Sequence, residues 1–138
     1  MLTELKTLHM QIEICIAELE ALTAQLVPAL NDVAAARLKL TRVSRHRTTL
    51  LEGKIYPLLL DGACAADKAS VEALRDTGKR DLLKSIGHIG RWTLPEIADN
   101  WTGYCAASRA MRAAMRKRIE EERAVVYPLL ARRADLAA

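Results

Sequence analysis

SRHRTTLLEGKIYPLLL, residues 44–60, decides how this chain is read. Its Leu50, Leu51, Ile55 and Leu58 continue a series begun by Val33, Ala36, Leu40 and Val43. That spacing is one face of an α-helix. Tyr-Pro-Leu-Leu closes the run, and Pro57 is expected to bend or end the helix, since proline lacks the N–H and crowds the preceding turn. The stretch returns 71 residues later as MRKRIEEERAVVYPLLA, residues 115–131. Arg45, Arg47, Tyr56, Pro57, Leu58 and Leu59 meet Arg116, Arg118, Tyr127, Pro128, Leu129 and Leu130. The helices ahead of the two copies align at an offset of 70, where His9, Ile12, Ile16 and Leu19 meet Lys79, Leu82, Ile86 and Ile89. Two helix pairs related in this way predict a pseudo-twofold bundle whose halves face one central site.

Working outward, the chain reads as four helices. The first is expected over about residues 2–27, with Leu5, Leu8, Ile12, Cys15, Ile16, Leu19, Leu22 and Leu26 on its buried face and Pro28 at its end. The second spans about residues 32–59, with Asn31 or Asp32 as its cap. Residues 61–67 form a loop. The third runs over about residues 68–89, burying Val71, Leu74, Leu82, Ile86 and Ile89; Gly78 weakens it, and Gly87 and Gly90 flank its end. The fourth begins near Thr93, which has capping-box spacing to Glu96 with Pro95 between, and continues to about Arg133 with a break at residues 100–103. Its face is Trp101, Tyr104, Ser108, Met111, Met115, Ile119, Val126 and Leu129. Long helices with short connections pack antiparallel. The fold class is therefore all-α, an up-down-up-down four-helix bundle forming one domain over residues 1–138, with a first hairpin at about 1–60 and a second at about 67–135.

Composition narrows the function classes. Half the residues are apolar but there is no Phe, so the core must be built from Leu, Ile, Val, Ala and Met. Six Gly and four Pro leave little room for the turns of an all-β fold. A net charge of +4 gives weak attraction for anions and names no partner. Cys15, Cys64 and Cys105 are odd in number and widely spaced, which fits a reducing cytoplasm, where they are expected to pack as small apolar groups. The first ten residues lack the basic-then-apolar order of a signal peptide, and no stretch is long and apolar enough to span a membrane. GxSxG, a Cys-His signature and a Gly-rich phosphate loop are all absent, and neither His9 nor His46 has the following Lys and Gly of a phosphotransfer histidine.

A helix closed by an aromatic-Pro-Leu step, twice, resembles the hemerythrin-like (HHE cation-binding) family. The resemblance covers nearly the whole chain, with the YPLL steps as its specific motifs. It implies a four-helix bundle around a non-haem di-iron centre used in oxygen binding, sensing or iron handling. In that pattern the first-helix His falls on His9 and the second-helix HxxxE on Arg47 and Leu51. The third-helix His falls on Lys79, and the fourth-helix HxxxE on Arg118 and Glu122. Only His9 and Glu122 keep the family's residue type. Cations stand at Arg47, Lys79 and Arg118. A divalent cation needs deprotonated ligands, and fixed positive charges repel it. The family resemblance therefore describes a degenerate metal site.

Glu122 projects from an apolar stripe between Met115 and Val126, and a buried carboxylate is costly unless paired. One reading makes Arg47, Lys79 and Arg118 its counter-charges in place of metal; the other lets all three snorkel to water. The same trio suggests a small anion at the bundle centre. His9 is expected to be an ordinary half-buried histidine, His46 to face solvent, and His88 to end the third helix as a cation suited to the helix dipole. Trp92 and Trp101 are expected as core or loop anchors. If metal is bound, His9, His46, Glu52 and Glu122 are the candidate ligands, brought together by a local π-bulge. Arg109, Arg112 and Arg116 lie on one side of the fourth helix and are expected to form a solvated face balanced by Glu120–Glu122; contact with phosphates or a membrane surface is the alternative.

The function expected from the sequence is a non-enzymatic, cofactor-free regulatory or interaction module with an internal ion-pair network, binding a protein partner. The alternative is a non-haem iron protein with a displaced or reduced site. Nucleic acid is not an expected partner, and the apolar faces of so short a bundle leave room for a dimer.

Overall fold

The computed structural model describes residues 1–137, and the side chains of residues 1–133. Ala138, the last residue of the expected domain, lies outside them. The chain is an all-α bundle: α1 (Leu2–Thr23), α2 (Leu30–Leu50), a π-helical turn (Leu51–Ile55), α3 (Tyr56–Leu60), α4 (Ala65–Arg91), α5 (Leu94–Asp99) and α6 (Trp101–Ala137). None of the described helices is long and apolar enough to cross a membrane.

The buried face of α1 is the one its spacing predicts: Leu5, Ile12 and Ile16 are wholly enclosed, and Leu8, Cys15 and Leu19 nearly so. Burying each such aliphatic side chain contributes about 1.5–3 kcal/mol. α1 packs along both α2 and α6, whereas α4 packs along α6 and against α3. Contacts of α1 with α6 run from His9 beside Tyr127 to Thr23 beside Arg112, so these helices are antiparallel. Those of α4 with α6 run from Asp67 beside Arg132 to His88 beside Tyr104, again antiparallel.

Several expectations are corrected. α1 ends at Thr23, leaving Leu26 exposed in the connection. α2 starts at Leu30, so Asn31 and Asp32 sit in its first turn rather than capping it. α4 continues unbroken through Gly78 and on to Arg91. On α4 Val71 and Leu74 are buried as expected, but Leu82, Ile86 and Ile89 are 47%, 58% and 44% exposed. The reason is tertiary: beyond its first turns α4 leans on one long neighbour instead of two. Cys64 is exposed rather than packed.

The two YPLL steps differ in outcome. Before Pro57 the helix widens into a π-turn, closed by a bond from the Tyr56 N–H to the Leu51 carbonyl, and the chain leaves the helix after Leu60. Around Pro128 α6 continues without a break. The expected interruption near residue 100 is present. Thr93 Oγ1 accepts from the Glu96 N–H at 3.4 Å to start α5, and Asn100 Oδ1 accepts from the Gly103 N–H at 3.0 Å to start α6. Trp92 and Trp101 anchor this corner, Trp92 edge-on to Tyr104 and Trp101 donating to the Gln25 carbonyl at 3.0 Å.

Candidate functional site

The helical spacing of α6 places Arg118 and Glu122 one turn apart on its inner face, with Tyr127 further along. α1 delivers His9 from the opposite side, α2 delivers Arg47, and the start of α3 delivers Tyr56. Glu122 is 0% exposed, His9 1% and Arg118 6%. His9 Nε2 lies 2.7 Å from Glu122 Oε1, and its Nδ1 lies 2.5 Å from the Tyr127 hydroxyl. A carboxylate only accepts, so Nε2 carries the proton directed at it. Arg118 Nε approaches Glu122 Oε2 to 2.6 Å, but its N–H is not aimed at that oxygen, and the contact acts through charge. The same guanidinium donates to the Leu74 carbonyl at 2.6 Å and to the Tyr56 hydroxyl at 3.0 Å. Arg47 Nε stands 3.8 Å from Glu122 Oε1; Arg47 Nε, Arg47 Nη1 and Ser44 Oγ make no directed hydrogen bond to a described residue.

These contacts decide the charge state of the centre. Burial pushes the Glu122 carboxyl up. The hydrogen bond from His9 and the charges of Arg47 and Arg118 outweigh it and hold the group below the usual carboxylate range. Burial likewise drives the Tyr56 hydroxyl up to about 12, against the opposing charge of Arg118, so it stays protonated. The result is one carboxylate clamped by two permanent cations and an imidazole. It is a polar network enclosed in an apolar core, in which Arg47 and Glu122 Oε2 are held by charge rather than by directed hydrogen bonds.

Two of the three anticipated counter-charges are therefore brought to Glu122, and the third is not. Lys79 is exposed on α4. The position that meets Arg118 is its neighbour Gly78, where an added Cβ would stand 2.5 Å from Arg118 Nη2. The anion cradle expected between Arg47, Lys79 and Arg118 is accordingly not assembled. His9 is a fully buried member of the network rather than an ordinary half-buried histidine. Leu51 is core, packed in the same cluster as Leu8, Tyr56 and Val126.

The donor set does not fit iron. The π-bulge exists, but His46 is exposed and Glu52 turns to Arg75 at 2.9 Å, so His9, His46, Glu52 and Glu122 are not gathered. Among the described residues no three His, Cys, Asp or Glu side chains are placed to hold a metal ion. Guanidinium groups, which keep their protons, occupy the space beside the remaining His and Glu. Nor are Cys15 and Cys105 activated: burial raises both thiols.

Residue-type reasoning missed Gly78, the hydroxyls of Tyr56 and Tyr127, and the fate of Arg112. The tyrosines carried a signal: an aromatic with a polar tip precedes both prolines. Each tip accepts or shares a proton with a basic group, Tyr127 with His9 and Tyr56 with Arg118. Arg112, expected in a solvated face, is 6% exposed. His88, expected as a cation, is half-buried and stacked on Tyr104; burial, then the charge of Arg37, lower its pKa and favour the neutral ring. Compared with known proteins, this chain matches no family model, no curated protein and no solved structure.

Proposed function

We propose that this chain is a hemerythrin-like, up-down-up-down four-helix bundle that works without a metal and serves as a non-enzymatic interaction module. The interior supports the metal-independent part of the reading. Where the family resemblance places iron ligands, Arg47 and Arg118 neutralise Glu122, and a cation site there would face two fixed positive charges. The internal ion pairs act as a lock that holds α1, α2 and α6 in one register.

The observation that carries the interaction role is the uncovered length of α4 beyond Gly78. Leu82, Leu83, Ile86 and Ile89 are 47%, 70%, 58% and 44% exposed along one helix. Scattered exposed aliphatics are ordinary, but a run of them at helical spacing marks a contact surface. The partner class is a protein that covers this side of α4, a second copy included.

Replacing both Leu83 and Ile86 by Glu tests the role. The variant should keep its helicity and unfold within about 0.5 kcal/mol of wild type, because these side chains bury little. A photo-cross-linker at position 86 in cells should give one reproducible adduct that the double variant loses, while a cross-linker at exposed Arg45 gives none. Absence of any adduct from position 86 would sink the interaction role. Near-stoichiometric iron in the purified protein would sink the metal-independent one.

A further inference from the structure

The C-terminal turn of α1 and the middle of α6 border a cleft of about 370 Å³, well away from the Glu122 network. Arg109, Arg112 and Arg116 line it from α6, and Glu20 and Thr23 from α1. Residues three and seven apart share a helix face, so the three guanidinium groups converge on one opening. We propose that this cleft binds a phosphate-class dianion, inorganic phosphate or a phosphomonoester, with Arg112 as its central contact. This site lies apart from the interaction face of α4 and does not depend on it.

The argument starts from Arg112, which is 6% exposed although permanently charged. Its Nη1 donates to Thr23 Oγ1 at 3.0 Å and to Ser108 Oγ at 2.7 Å, both neutral hydroxyls. Glu20, whose charge reaches Arg112, is bonded to Arg116 at 2.9 Å instead. Burial lowers the pKa of Arg112, the sign of a cation short of counter-charge. Arg109 is exposed and forms no ion pair among the described residues. Three guanidinium groups against one carboxylate leave an excess of two positive charges at the opening, which matches a dianion better than a carboxylate ligand. Forked N–H donors also suit tetrahedral oxyanions, and a charge-assisted contact satisfies a buried cation better than hydroxyls do. Arg47 and Arg118 give no comparable opening, because both are occupied by Glu122. A long nucleic acid would need a basic track along the helix, whereas Glu20 on α1 lines this cleft and Glu120 and Glu121 follow Arg116 along α6.

Titration of the intact chain with inorganic phosphate, and separately with glycerol phosphate, tests the site. Arginine Nε–H resonances and the thermal midpoint are the readouts, and sodium chloride at matched ionic strength is the control. Saturable movement of one buried arginine resonance with either phosphate, absent with chloride, is the expected result. Response to glycerol phosphate alone would assign a phosphomonoester, and response to both would assign the free ion as sufficient. Arg109→Ala, at an exposed position outside the core, should weaken binding about tenfold, the loss of one charge-assisted contact. Arg112→Lys should abolish it; if that variant does not fold, Arg109→Ala still decides. No saturable response to either phosphate, or equal affinity in Arg109→Ala, overturns the proposal. So does a short RNA that binds far more tightly than both phosphates.

Discussion

Gly78 of α4 lies against the guanidinium of Arg118, so close that a Cβ on residue 78 would stand 2.5 Å from Nη2 and 3.1 Å from Cζ. The guanidinium cannot step aside cheaply, because the Leu74 carbonyl, the Tyr56 hydroxyl and the Glu122 carboxylate already hold it. In an ordinary helix interior Gly→Ala stabilises by about 0.5–1 kcal/mol. Here Gly78→Ala should instead destabilise, by about 1–3 kcal/mol, through overpacking. Gly87, also inside α4, has open space where its Cβ would go, and Gly87→Ala should show the ordinary gain of about 0.5–1 kcal/mol. Urea unfolding of the two variants gives opposite signs if Arg118 is seated as described, and the same sign if it is not.

Glu122→Gln removes the anion that lies between buried Arg118 and partly buried Arg47. Breaking such a pair leaves uncompensated charge, and the loss should be about 3 kcal/mol or more. Glu120→Gln, at a position 65% exposed and paired with Arg123 on the surface, should stay within about 0.5 kcal/mol. The pH dependence follows from the direction of the shift. The carboxyl is held below its unfolded value of 4.5, so its contribution is complete above that value and is lost as pH falls through the lower folded one. The stability gap between wild type and Glu122→Gln should therefore be level near neutrality and close in acid. A gap that persists unchanged to about pH 3 would mean that the arginines do not depend on this carboxylate.

The two motif tyrosines should differ in cost. Tyr127→Phe removes a hydroxyl shared with His9 Nδ1 and should cost about 1 kcal/mol. Tyr56→Phe leaves Nη2 of a buried, charged Arg118 without its acceptor and should cost about 1–3 kcal/mol. Equilibrium denaturation of both variants in one buffer settles the order.

His88 supplies a second pH dependence, of a different origin. Its pKa is lowered from 6.5, by burial first and the charge of Arg37 second. A base with a depressed folded pKa favours folding above its unfolded value, and that stability fades as pH falls below 6.5 toward the folded one. Wild type should lose stability as pH falls below 6.5, and His88→Gln should flatten that limb. An NMR titration placing the His88 pKa above 6.5 would contradict its burial against Tyr104 and the nearby charge of Arg37.

What could be read directly from the sequence is what depends on local periodicity. The helices, the corner between Thr93 and Gly103 and the inner face of α1 follow from three- and four-residue spacing and from capping chemistry, and each is present. The inward turn of Glu122 was legible too, because a lone carboxylate in an apolar stripe shares the direction of its neighbours. Depth was not legible. Ile12 and Leu82 occupy equivalent places in the internal repeat, yet Ile12 is 0% exposed and Leu82 47%. Spacing sets the angle at which a side chain leaves its helix; how deeply it is buried depends on how many other helices stand there. α1 has long neighbours on two sides, and α4 on one. The same rule separated Arg118 from Lys79 and sank Arg112 beside Thr23, because a long cationic side chain goes wherever the packed helices leave room and an acceptor.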